Sequence, residues 1–266
     1  MFSSLTSLTL TNTMGSDWGE RLLNTVANKT IRYLFTQSES VEVSIHCYPS
    51  SKLLQGSIDS FKMSGRGLVI RQEFRAEEMT LITDAVAIDF SSLLRGKLAL
   101  VQPTQAIVRV TLSEAGIDRA FGAELVRKRL QNLYLPALSN ISGGNSISFE
   151  AVRLQLLANN RVQIWANANL SNGELVPISL SVTITIERRC RLAFCEPKFE
   201  ADSVPESRRE ISQTLSIILV EILDRMVDLD RFDLDGITLR LNQLETQEKL
   251  LIFSGYAQIE RIPANS

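Results

Sequence analysis

The sequence predicts an α+β fold in which long amphipathic helices pack against a strongly curved antiparallel sheet. Three observations carry this prediction. Residues 18–35, and a second stretch opening at Pro205, repeat apolar residues at helical spacing. The intervening segments alternate apolar and polar residues with the period of a strand. The two helical stretches are not interleaved regularly with the strands, which disfavours a doubly wound sheet or a barrel of parallel strands.

The elements follow in order. In residues 18–35, Trp18, Leu22, Val26, Tyr33 and Leu34 form an apolar stripe, widened by Leu23, Ala27 and Ile31. Such a stripe needs a sheet to cover. Residues 41–45 alternate cleanly as a strand before Pro49. Residues 57–67 alternate loosely and close on Gly65 and Gly67, which let a sheet bend. Extended chain continues over 68–74, with further strands at 77–82 and 86–90. Residues 91–95 read as a helical turn ended by Gly96, and 97–101 and 106–110 as two more strands. Thr111 and Glu114 match a capping box, which starts a helix through Phe121. Residues 124–133 continue as helix, with Arg127, Lys128 and Arg129 on a solvated face.

The second half repeats the strand idiom. Residues 146–149, 151–156 and 162–168 precede Asn172-Gly173, a hairpin signal because both residues accept positive φ. Residues 178–186 form the clearest half-buried strand, with isoleucine, leucine and valine alternating with serine and threonine. Residues 188–191 interrupt it, and 192–194 resume it. Pro205 opens the second helix, whose stripe is Ile211, Leu215, Ile218, Leu219, Ile222, Leu223 and Met226. Residues 236–241 and 250–259 make a final hairpin. One domain is expected over residues 17–262, between tails at 1–16 and 263–266.

The composition narrows the function. The chain has 266 residues, 44% of them hydrophobic, enough for a sizeable core. A net charge of -2 argues against a broad nucleic-acid-binding face. The first 16 residues are rich in serine and threonine and lack the pattern of an export signal. No window reaches the roughly 18 apolar residues of a spanning helix, so any membrane contact is expected to be peripheral. Cys47, Cys190 and Cys195 are odd in number and show no ligand spacing, so reduced thiols are expected. Asp228, Asp230, Asp233 and Asp235 lack the rest of a calcium loop, and no metal or cofactor is expected. The single histidine, His46, stands beside Cys47, but neighbours on a strand point to opposite faces. No catalytic constellation follows, and the chain is not expected to be an enzyme.

Residues 48–58, Tyr-Pro-Ser-Ser-Lys-Leu-Leu-Gln-Gly-Ser-Ile, together with residues 84–89, the Leu94-Arg95-Gly96 turn and residues 106–115, resemble the LmeA-like family in its cyanobacterial type. The resemblance covers roughly residues 18–262 and is strongest from Val43 to Phe121. It implies a non-catalytic phospholipid-binding protein whose fold is similar to the tubular lipid-binding modules. It carries over no catalytic residue.

The leading expectation is therefore binding of a phospholipid or related glycolipid in an apolar groove, with transfer or sensing at a membrane surface. The placement expected is cytoplasmic, peripheral at an inner or thylakoid membrane. The candidate lining residues are Phe61, Met63, Leu68, Ile70, Ile88 and Phe90, with Arg66 and Arg71 at the headgroup. The alternative is a structural or protein-interaction module with a filled core, which periodicity cannot separate from a lined cavity.

Overall fold

The structure, a computed structural model, describes residues 13–70, 74–134, 146–170, 172–231 and 236–262, with residues 13–20, Ser50 and Arg231 described through their backbone alone. Helix α1 spans Thr13–Tyr33. It starts ahead of Trp18, inside the expected tail. Leu23, Val26, Ala27 and Ile31 are buried along it, while Tyr33 is exposed. The buried stripe is thus centred on the residues expected only to widen it. Tyr33 faces outward and lies near the Lys29 ammonium instead.

The first sheet collects strands from both ends of the chain. It contains β1 (Ser40–His46), β3 (Ser60–Ile70), β4 (Phe74–Thr83), β6 (Thr104–Ser113), β11 (Ile237–Gln247) and β12 (Leu250–Ile259). Their order is β1-β3-β4-β6-β12-β11, every neighbour antiparallel. Two short strands, β2 (Ser57–Ile58) and β5 (Val86–Ala87), pair beside it. Helix α1 packs on β1 and on the 3-10 turn Ser50–Gln55.

The second sheet is a meander of β7 (Ile147–Leu156), β8 (Arg161–Leu170), β9 (Leu175–Glu187) and β10 (Arg191–Phe199). The β8–β9 hairpin turns at Asn172 and Gly173 as expected, although only Gly173 takes positive φ. Asn172 acts through its side chain, whose Oδ1 accepts from the Glu174 amide at 2.9 Å. Strand β9 is more buried than its alternation predicts. Ser179 and Ser181 are shielded as well, because Gln163 donates to the Ser179 hydroxyl and Arg161 to that of Ser181. The second long helix follows a single 3-10 turn after Pro205 and packs on β9 and β10.

Three short helices complete the chain order: α2 (Phe90–Leu94), α3 (Glu114–Gly122) and α4 (Glu124–Leu130), so the second long helix, Arg209–Met226, is α5. Several expectations are corrected here. The strand expected at 86–90 shrinks to β5, because the Asp89 carboxylate accepts from the Ser91 amide and starts α2. The strand expected at 97–101 is reduced to a bridge between Ile88 and Leu100. The cap of α3 is Ser113, whose hydroxyl accepts from the Gly116 amide, while Thr111 stays in β6.

The strongly curved sheet is also corrected. The strands divide into two sheets that are neither strongly curved nor closed, and each long helix lies on a different one. The physical cause is the last hairpin, which returns to pair β12 with β6 and leaves the meander as a sheet of its own.

Polar contacts join the sheets. Strand β7 is an edge strand, and free edge amides need partners. The Glu114 and Asp118 carboxylates, one turn apart on α3, accept from the amides of Leu156 and Leu154, each at 2.8 Å. At the β7–β8 turn, Asn160 exchanges bonds with Thr246 of β11: its amide donates to the Thr246 hydroxyl, and its Oδ1 accepts from the Thr246 amide, both at 2.9 Å.

Replacing Asp118 by alanine leaves the Leu154 amide without its acceptor. We expect a loss of about 1 to 3 kcal/mol, read as a lower urea midpoint. An unchanged midpoint would show that the edge amide finds water at no cost.

Candidate functional site

Antiparallel register assembles one apolar face on the six-stranded sheet. A row across all six strands runs Val43, Met63, Leu81, Val108, Gly255 and Leu241. On one side of it lies the row Ile45, Phe61, Thr83, Ala106, Ala257 and Leu239; on the other, Val41, Gly65, Met79, Val110, Phe253 and Leu244. Because side chains alternate across a strand, all three rows share a face. Gly255 is required where β11 bulges over β12, since a Cβ there would sit 2.1 Å from the Arg240 carbonyl oxygen.

Helix α1 covers one end of this face without filling it. A cavity of about 90 Å3 remains, walled by Leu23, Ile31 and Leu34 above and by Ile45, Phe61, Met63 and Leu81 below. Val86, Ile88, Leu98 and Leu100 close its side. Thr83 and Thr104 are the only polar residues in its wall among the described residues. The Thr83 hydroxyl is already engaged: it accepts from the Phe61 amide and donates to the Asp84 carbonyl. The space is therefore suited to hydrocarbon, and a polar ligand would find few partners inside.

The side wall is held by Asp89. Its carboxylate accepts from the hydroxyls of Ser91 and Ser92 at 2.7 and 2.6 Å as well as from the Ser91 amide. Those bonds, led by the one from Ser92, lower its pKa from 3.8 to about 2. Behind this cap, Ile88 and Leu93 are buried with Leu23 and Leu53 in one cluster.

The sequence-derived candidates separate in space. Phe61, Met63 and Ile88 are in the cavity wall. Ile70 lines a different space, between the two sheets. Leu68 is buried against Gly65, and Phe90 packs on the cluster behind the wall, so neither lines the cavity. Arg66 is on the opposite sheet face, exposed and paired with Glu78 at 3.3 Å, which removes it from the mouth. Arg71 lies outside the described residues.

Sequence reasoning missed Leu23, Ile31, Leu100, Ile237 and Ile259. The helix residues carried an apolar signal but read as packing. The last two come from a hairpin that only the β6–β12 pairing brings near.

Other reactive groups are explained by their neighbours. His46 is exposed, whereas the Cys47 thiol is buried and donates to the Ser57 carbonyl at 3.3 Å. None of the three cysteines forms a disulfide among the described residues. Cys190, Asp228 and Asp230 bring ligand-type atoms within 4.8 Å of one another. Asp230 is already bonded by Arg240 at 2.6 Å, and its hydrogen bond with Cys190 raises the thiol's pKa, which favours a protonated sulfur over a metal-binding thiolate. Asp233 and Asp235 lie outside the described residues. No helix among the described residues is long and apolar enough to cross a membrane.

Comparison with known proteins places the chain. The model of the LmeA-like phospholipid-binding family matches residues 14–255, so the chain belongs to that family. No curated protein and no solved structure matches it.

The lowered pKa of Asp89 gives a pH signature. Its folded value lies below its unfolded one, so its contribution is present above about pH 4 and is lost as the pH falls through about 2. Asp89→Asn retains an acceptor but cannot titrate. The urea midpoint of the native protein should fall relative to that of the variant between pH 4 and pH 2. Parallel midpoints across that window would show that the negative charge of the cap contributes nothing to stability.

Proposed function

We propose that this member of the LmeA-like phospholipid-binding family binds a phospholipid or related glycolipid without chemistry, seats acyl chain in the apolar groove beneath α1, and transfers or senses that lipid at a membrane surface. The observation that carries the reading is the cavity wall, hydrocarbon or thioether throughout apart from two threonines. Met63 adds an adaptable side chain to it, suited to a mobile ligand.

Size sets what this cavity holds by itself. At about 30 Å3 for each water-sized group in the liquid, about 90 Å3 accommodates roughly three such groups, a short segment of one chain. Three methylenes leaving water contribute roughly 2 kcal/mol before the costs of association. That supports reversible holding. Contact with the membrane is peripheral on this reading, at the cytosolic face of an inner or thylakoid membrane, and the partner is lipid and not nucleic acid.

Native mass spectrometry of gently purified protein, followed by organic extraction, tests the proposal. The expected result is stoichiometric phospholipid or glycolipid, reduced when Leu100→Trp fills the groove. Protein that is lipid-free and takes up none from vesicles would overturn it in favour of an interaction module with a filled core.

A further inference from the structure

A second apolar cavity, of about 400 Å3, lies between the two sheets. Met79, Val110 and Phe253 form its floor on the six-stranded sheet, Ile184 and Phe194 face them from the four-stranded sheet, and Ala120 of α3 closes one side. It is about four times the volume of the cavity beneath α1. The two share one floor. Leu81 walls the first, and Met79, two residues back on the same strand and face, walls the second. Leu34, Phe35, Met79 and Leu81 pack in one apolar cluster. Hydrocarbon and thioether side chains therefore separate the two spaces, and these can change rotamer to admit a chain.

The larger cavity also has a polar neighbour. Arg75 lines both it and an open groove whose wall includes Gln37 and Arg119. The Arg75 guanidinium is held by Glu39 at 2.5 Å and Glu77 at 3.3 Å. Arg119 bonds the Ala115 carbonyl through Nε at 3.1 Å and has no ion pair among the described residues. It precedes Ala120 of the cavity wall. Among the described residues, two guanidinium groups border this mouth together with the two carboxylates that hold Arg75, so it offers both signs of charge.

We propose that the inter-sheet cavity takes one acyl chain of a zwitterionic diacyl phospholipid, with the phosphate against Arg119 in the groove and the cationic end of the headgroup toward Glu39. This rests on the lipid-binding reading above and gives it a second, larger site and a headgroup class. An apolar interior beside a mixed-charge mouth matches the two ends of such an amphiphile. The planar donor fork of arginine suits phosphate oxygens.

The test uses the full chain and vesicles of phosphatidylcholine doped with a phosphatidylcholine carrying a diazirine at an acyl-chain end. After irradiation, adducts are mapped by peptide mass spectrometry. Adducts are expected in residues 116–121, 192–194 and 251–253. Ala120→Trp should reduce them about tenfold by occupying the space. Arg119→Gln, at an exposed position, should reduce them about fivefold with the fold intact. Adducts confined to residues 23–34 and 58–63 would overturn this inference and leave the proposed function standing. No adducts together with no lipid uptake would overturn both. Undiminished labelling of Arg119→Gln would overturn the phosphate placement. Unlabelled phosphatidylglycerol competing better than phosphatidylcholine would overturn the zwitterionic headgroup.

Discussion

The pairing of β12 with β6 is the contact on which the rest of this structure depends. Its ladder runs from Leu250 opposite Ser113 to Ile259 opposite Thr104. It closes a long excursion of the chain, so it forms against a large loop entropy and needs extensive burial in return. Ala106 and Ala257 are buried opposite each other in it, and Leu251 pairs with Leu112 at the boundary with the second sheet. The ladder turns four N-terminal strands and one C-terminal hairpin into a single apolar face. Without it, Ile237 and Ile259 would not reach the cavity beneath α1, and Phe253 would not floor the space between the sheets.

Polar groups then fix how the two sheets meet. Hydrophobic contact alone is not directional. The bonds from the amides of edge strand β7 to the Glu114 and Asp118 carboxylates of α3, and the reciprocal bonds of Asn160 with Thr246, are directional. Asn160 sits at positive φ, a conformation that asparagine tolerates better than most residues. These bonds act at the margins of a shared hydrophobic cluster that includes Leu154 and Ile184 from one sheet and Leu244 and Leu251 from the other. Between such fixed margins, the interior retains unfilled apolar space.

That space is the link to function. A protein that binds hydrocarbon reversibly needs walls without unsatisfied polar groups and a frame that does not collapse into them. Here the Thr83 hydroxyl is bonded within the wall, and Asp89 fixes the strand-to-helix corner beside it. Membership of the LmeA-like phospholipid-binding family agrees with an apolar interior of this kind.

The sequence by itself determined the local structure. The period of two in residues 178–186, the Asn172-Gly173 turn and the stripe of α5 are effects of neighbouring residues, so they were legible as strand, hairpin and helix. The apolar character of Phe61, Met63 and Ile88 was legible for the same reason, and so was the family. Tertiary structure alone decided which apolar residues border empty space and which are packed solid. Leu68 and Met63 look alike in the sequence, yet Leu68 is buried against Gly65 while Met63 faces the cavity. It also decided that Arg66 lies on the far face, that Ser113 and not Thr111 caps α3, and that the sheet divides in two. Those outcomes depend on strand register and on the return of the last hairpin. Both are relations between residues far apart in the chain, and local pattern does not contain them.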